Sequence, residues 1–149
     1  IEALPDHLNI DLLMPIPLHP NRLRQREFNQ SLLLADRISP VLGLPVSYRN
    51  LVRIVDTGPQ TTLPRSARLQ NLRKAFALRD PREVADKRVL LIDDVFTTGT
   101  TANECARVLL EAEAKNVTVL ALARSVDAGI VPDAWLPPAA LNLRQELGA

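Results

Sequence analysis

The apolar run Val89-Leu90-Leu91-Ile92 breaks abruptly into two aspartates, Asp93-Asp94, and then into Val95-Phe96-Thr97-Thr98-Gly99-Thr100-Thr101. A strand with no polar residues has no face to offer water, so it belongs inside a parallel sheet covered on both sides. After the threonines, Ala102, Cys105, Ala106, Leu109 and Leu110 recur at helical spacing, with Thr100 or Thr101 expected to cap the helix. Residues 117–123 then read as the next strand. A strand, a helix and a strand of these lengths form a βαβ unit, so the predicted class is α/β, with a mainly parallel sheet flanked by helices.

The first half of the chain is consistent with that class. Residues 10–18 read as a short apolar strand ended by Pro15 and Pro17, followed by a cationic loop, residues 19–26. Phe28, Leu32, Ala35 and Ile38 mark a helix closed by Pro40 and Gly43. Residues 46–55 can form a strand, and Asp56-Thr57-Gly58-Pro59 signals a turn. Residues 64–74 look helical with a basic face, and 75–78 resume an extended run. The proline-rich end, residues 131–149, has no evident partner.

With 149 residues, nearly half of them apolar, the chain can bury one substantial core, and a single domain over 1–149 is expected, with its core at about 11–125 and a tail at 126–149. No apolar stretch approaches the roughly 18 residues that span a bilayer. The lone Cys105 can form neither an internal disulfide nor a thiolate zinc site, which makes cytoplasm the expected location. The chain begins at Ile1 rather than Met, so residues are expected to be missing before it. The net charge of +1 hides an asymmetry: residues 19–74 hold ten Lys or Arg against three acids, and the rest holds eight against fourteen. Such a field attracts polyphosphates or nucleic acid. Low aromatic content leaves few platforms for unpaired bases.

Ligands of open parallel sheets bind outside the carboxyl ends of the strands, where Asp93 to Thr101 falls. Thr97, Thr98, Gly99, Thr100 and Thr101 can aim backbone N–H groups and hydroxyls at a phosphate, aided by the helix N-terminus. The loop lacks a Walker A lysine and the glycine spacing of a dinucleotide fingerprint, so neither an NTPase nor a nicotinamide enzyme is indicated. Two acids beside a phosphate repel it unless they face hydroxyl donors or a metal, and a ribose with bound Mg²⁺ offers both. The acidic pocket of a phosphoacceptor domain would leave the threonine run unexplained. His19 reads as a loop residue, Cys105 as core, and Trp135 as a packing or partner contact.

The thirteen residues from Val89 to Thr101 resemble the signature of type I phosphoribosyltransferases. Pro15-Ile16-Pro17-Leu18-His19-Pro20, Arg22-Leu23-Arg24, Arg26-Glu27-Phe28-Asn29-Gln30, and Gln60-Thr61 with Arg68, Asn71 and Phe76 are similar to the competence protein F (ComF) family, over about residues 11–125. The resemblance implies the type I phosphoribosyltransferase fold with a small hood. It also implies binding of phosphoribosyl pyrophosphate and transfer of ribose 5-phosphate to an acceptor with release of pyrophosphate. Asp93 and Asp94 would be the catalytic pair holding the ribose hydroxyls, and Thr97 to Thr101 would bind the 5′-phosphate. Mg²⁺ would be held mainly through the ligand, bridging diphosphate and ribose.

By the same resemblance, Arg22, Arg24 and Arg26 would neutralise the diphosphate. The stretch 53–74, with candidates Gln60, Arg65 and Arg68, would be the mobile hood that excludes water. Family members commonly carry an N-terminal four-cysteine zinc module, which this chain lacks, and are associated with DNA uptake in competence. DNA-uptake proteins or single-stranded DNA are therefore expected partners, and a regulatory module that binds without turnover is the alternative reading. Two positions depart from the pattern. Glu27 and Glu113 stand where glycine is expected. Glu27 opposes an anion, and Glu113, if left-handed, carries strain on the order of 1 kcal/mol.

Overall fold

A computed structural model describes residues 9–18, 28–55, 74–96, 98–124 and 141–142. The sheet predicted from the 88–95 run is present. Strands β1 (Leu12–Pro15), β4 (Arg88–Phe96) and β5 (Asn116–Arg124) are parallel, and β6 (Leu141–Asn142) adds antiparallel to β5, in the order β1-β4-β5-β6. Val46 extends the other edge by a parallel bridge to Leu13. Helix α1 (Gln30–Leu42) covers one face and α2 (Thr100–Glu111) the other. A separate antiparallel ladder joins β2 (Leu51–Arg53) to β3 (Phe76–Leu78). A 3-10 turn, Pro81–Glu83, leads back to β4.

Side-chain alternation along β4 accounts for the layering. Val89 and Leu91 pack with Met14, Val117, Val119 and the α2 residues Ala102, Cys105, Ala106 and Leu109. Leu90 and Ile92 point the other way, into a layer with Leu13, Ala35, Leu34 and Ile38. Every residue from Val89 to Ile92 is buried, so no face of this stretch reaches water. The predicted core role of Cys105 holds.

Several expectations are corrected. Phe28 precedes α1 and is half-exposed. The helix is capped by Asn29, whose Oδ1 accepts from the Ser31 N–H at 3.1 Å and whose Nδ2 donates to the Ile16 carbonyl at 3.1 Å, fixing the helix to the end of β1. Pro40, expected to close α1, instead lies inside its last turn, where it has no N–H to give the helix, and Gly43 ends the helix at φ 64° with its N–H donating to the Ser39 carbonyl. The expected strand over 46–55 is interrupted between Val46 and β2 by a bend at residues 48–50. There the Asn50 side chain donates to the Asp80 carbonyl and accepts from its N–H, both at 2.8 Å. The tail, read as partnerless, supplies β6, because a two-residue edge strand leaves almost no periodicity to detect. Residues 64–73, read as helical, lie outside the described residues. Glu113 has φ 64°, so its left-handed cap is real, and Lys74 and Asp86 share that conformation.

The opposite end of β4 is locked by charge. Arg88 gives its backbone N–H and its guanidinium to Asp11 at 2.6–2.8 Å, and that guanidinium holds the Asp11 carboxyl well below the usual carboxylate range. No helix among the described residues is long and apolar enough to cross a membrane.

The layering predicts that Leu90→Ala, at a fully buried position, lowers unfolding free energy by about 2–5 kcal/mol. Leu122→Ala, at a side chain 72% exposed on β5, changes it by less than about 0.5 kcal/mol. Urea denaturation of the two variants checks both.

Candidate functional site

β4 carries its acids past the core and stops. Asp93 still pairs in register with Ala121, and Val95 with Ala123, so the acid pair stands at the carboxyl end of the sheet on a strand fixed from both sides. The Asp93 Oδ1 accepts from the Asp94 N–H at 2.9 Å, and the Asp94 Oδ1 accepts from the Val95 N–H at 2.9 Å. Burial pushes the Asp93 carboxyl up to about 6, and the hydrogen bond and charge of Asp94 add to the rise. Such a pair favours whatever lowers its mutual repulsion: a proton, a cation, or hydroxyl donors.

The turn that follows is set by Gly99. Its φ of 75° lies in the left-handed region, and a Cβ there would stand 2.6 Å from the Phe96 Cζ, so both the backbone and the ring demand glycine. Gly99 is also the N-cap of α2, and among the described residues no side chain caps the helix. The expected capping by Thr100 or Thr101 is therefore corrected: both already lie inside the first turn. Helical geometry gives the first N–H groups of α2, from Thr100 onward, no acceptor within the helix. The Thr98 and Thr100 hydroxyls meet at 2.7 Å beside them. N–H groups without helical acceptors, two hydroxyls and the positive end of a helix dipole are the kinds of group from which anion sites are built.

The structure thus brings together Asp93, Asp94, Thr98, Gly99, Thr100 and Thr101 at the C-terminal end of β4. Thr97, Arg22, Arg24, Arg26, Gln60, Arg65 and Arg68 lie outside the described residues, as do Glu27 and His19. Among the described residues, no group of three or more His, Cys, Asp or Glu could hold a metal ion. Two carboxylates supply too few oxygens for the octahedral shell of Mg²⁺, so an ion here would draw most of its shell from a ligand and water. The raised Asp93 carboxyl fits a nearby cation. Cys105 lies behind the pair, and burial pushes its thiol well up, which leaves it unreactive.

Sequence reading missed three features. Val95 and Leu122 are exposed apolar side chains at the ends of β4 and β5, hidden in the sequence by strand composition. Glu104, on the apolar-striped helix, is buried.

Comparison with known proteins points the same way as the geometry. A family described as the phosphoribosyl transferase domain matches residues 29–136. Competence protein F of Haemophilus influenzae is 35% identical over 116 residues, covering 77% of this chain and 51% of that protein. The DNA utilization protein YhgH of Salmonella typhi is 35% identical over 116 residues, covering 78% of this chain and 50% of its own. The chain thus spans about half the length of the curated relatives it matches. The glutamine phosphoribosylpyrophosphate amidotransferase from B. subtilis, solved with ADP and GMP, is similar with a TM-score of 0.51 at 22% identity. That likeness covers 76% of this chain and 22% of that one, and it speaks to the fold alone.

The site makes two predictions. Because folding raises the Asp93 carboxyl from 3.8 to about 6, the native state holds its proton more tightly than the unfolded chain, and stability falls as pH rises from about 4 to 6. Asp93→Asn should therefore raise the thermal midpoint by a few degrees near pH 7.5, with the gain fading by about pH 4. Gly99→Ala should lower stability by about 1–2 kcal/mol through left-handed strain and displacement of the Phe96 ring. Thermal melts across pH read both.

Proposed function

The chain belongs to the phosphoribosyl transferase domain family, in its type I, competence protein F branch, and from that premise we propose that it binds phosphoribosyl pyrophosphate with Mg²⁺ and transfers ribose 5-phosphate to an acceptor. The observation that carries this reading is the placement of an acid pair and an uncapped, threonine-lined helix N-terminus side by side at the end of one buried strand. A phosphorylated sugar presents both complements, an anion at one end and a row of hydroxyl donors along the ring.

In this reading the N–H groups of α2 and the hydroxyls of Thr97, Thr98, Thr100 and Thr101 hold the 5′-phosphate, and Gly99 lets the backbone approach it. Asp93 and Asp94 accept from the ribose hydroxyls and orient C1. Mg²⁺ when bound supplies positive charge to the diphosphate. Arg22, Arg24 and Arg26, with Gln60, Arg65 and Arg68, add charge and donors at the same end. The C1–O bond to the diphosphate breaks with its electron pair leaving on pyrophosphate. The lone pair of the acceptor forms the new bond to C1, and the acceptor loses a proton. The reaction centre passes through oxocarbenium character, which the carboxylates stabilise.

The names of the relatives, competence protein F and DNA utilization protein, support a role connected with DNA uptake; a cytoplasmic location, with uptake proteins or single-stranded DNA as partners, belongs to the same proposal. Glu27, an acid directly after the cationic residues 22–26, favours a second reading in which the domain binds the ligand and regulates a partner without turnover.

Calorimetric titration of phosphoribosyl pyrophosphate with Mg²⁺ tests the site. The parent should bind, and the Asp93→Asn, Asp94→Asn double variant should bind at least about 100-fold more weakly, as expected for two charge-assisted hydrogen-bonding groups. Pyrophosphate release with a panel of acceptors separates transfer from regulation. A parent that ignores the ligand, or a double variant that binds it equally well, removes the proposal.

A further inference from the structure

The sheet edge opposite β6 carries a cavity that the site above does not use. There Val46, joined to Leu13 of β1 by one parallel bridge, is followed by the bend at residues 48–50. Together with the first turn of α1 and the segment after β3, these residues enclose a cavity of about 730 Å³ lined by Leu32, Val46, Tyr48, Arg49, Arg79 and Glu83 among others. That volume falls within the range of about 300–1,000 Å³ typical of small-molecule sites. In strand order, β1 separates the cavity from the acid pair on β4.

Asn50 builds one wall. It is 5% exposed, its carbonyl accepts from the Arg79 N–H at 3.0 Å, and its side chain holds both backbone groups of Asp80 at 2.8 Å. These three hydrogen bonds fix residues 79–80 against the bend and so bring Arg49 and Arg79 to one cavity. Both arginines are exposed, and among the described residues neither guanidinium has an acid or a hydrogen-bond acceptor. Asp80 does not serve them, because its carboxylate accepts from the N–H, Nε and a terminal guanidinium nitrogen of Arg82 at 2.9–3.0 Å. The cavity also offers an aromatic ring. Tyr48 is 50% exposed, and its hydroxyl donates to the Asp36 Oδ1 at 2.7 Å, which restrains the ring. Leu32 and Val46 add apolar surface, and the exposed Glu83 carboxylate is an acceptor for hydroxyl groups.

One kind of molecule complements all of these groups. A phosphate accepts from the planar forks of two guanidiniums, a flat heterocycle packs on an aromatic ring between aliphatic side chains, and sugar hydroxyls donate to a carboxylate. We propose that this cavity is a second ligand site, which takes a nucleoside monophosphate with its base on Tyr48 and its phosphate on Arg49 and Arg79. The site is separate from the loop at residues 98–101, and it stands whether or not the function proposed above does.

Titration of the full chain with adenosine 5′-monophosphate, followed through backbone amide shifts by NMR, tests it. The amides of residues 47–50 and 79–80 should shift along one saturation curve, and that curve should persist in the Asp93→Asn, Asp94→Asn variant, which alters only the other site. Arg49→Gln combined with Arg79→Gln should weaken binding at the cavity at least about 30-fold, and Tyr48→Leu about tenfold. Tyr48→Phe, which keeps the ring, should stay within about threefold of the parent. Adenosine and inorganic phosphate, each carrying half of the complement, should bind there at least about tenfold more weakly than the nucleotide. Shifts confined to residues 98–101, no shifts at all, or inorganic phosphate that binds as tightly as the nucleotide overturns the site, and these are read on the parent even where a variant does not fold. An arginine variant that folds and binds the nucleotide like the parent overturns it as well. A parent that takes the nucleotide at the cavity and ignores phosphoribosyl pyrophosphate with Mg²⁺ removes the proposed function and leaves this site, and the reverse result removes only this site.

Discussion

Burial of β4 on both faces is the constraint on which the rest depends. Val89 and Leu91 are claimed by the α2 layer, and Leu90 and Ile92 by the α1 layer, so the strand can neither slip nor turn without exposing one set. A one-residue slip would also move Asp93 into the position Ile92 holds. The same hydrophobic burial that stabilises the sheet therefore fixes the acid pair in place, and it partly desolvates Asp93, which raises its carboxyl. Fold and site share one cause.

The two ends of β4 are treated in opposite ways. At the amino end, Asp11 and Arg88 meet in a complete set of charge-assisted hydrogen bonds, and the acid is held low. At the carboxyl end, two acids adjoin, a glycine adopts a left-handed turn, and a helix starts without a side-chain cap from the described residues. The acid pair and the missing cap both lower stability and leave groups that a ligand can satisfy. Unfavourable features gathered at one end of the sheet, with the other end tightly paired, are what a binding site on a stable scaffold looks like in energetic terms.

Family and geometry carry different weights. Family membership rests on the match over residues 29–136, and the solved amidotransferase at 22% identity agrees in fold. The chemistry proposed for this chain rests on particular atoms: the two carboxylates, the Thr98 and Thr100 hydroxyls, and the open N–H groups of α2. A fold hosts many reactions, and only the site selects among them.

Much of this was legible in the sequence. The 89–92 run announced a buried parallel strand and the stripe from Ala102 to Leu110 announced its helix, because local periodicity decides those features, and the place of Asp93-Asp94 and Thr98 to Thr101 between the two followed from them. The helix cap was misread, because Thr100 and Thr101 are good caps by type and only the left-handed geometry of Gly99 shows that the helix starts one residue earlier. The partner of β5 was invisible, since Leu141–Asn142 is too short to carry a pattern. Buried Glu104 was invisible too: in the sequence it is a charged residue on a helix, and only long-range packing brings the Lys74 amide to it. What the sequence by itself determined were the segments whose burial is written in their own periodicity. What only the tertiary structure decided were contacts between residues far apart in the chain, whose hydrogen-bonding partners no local pattern can encode.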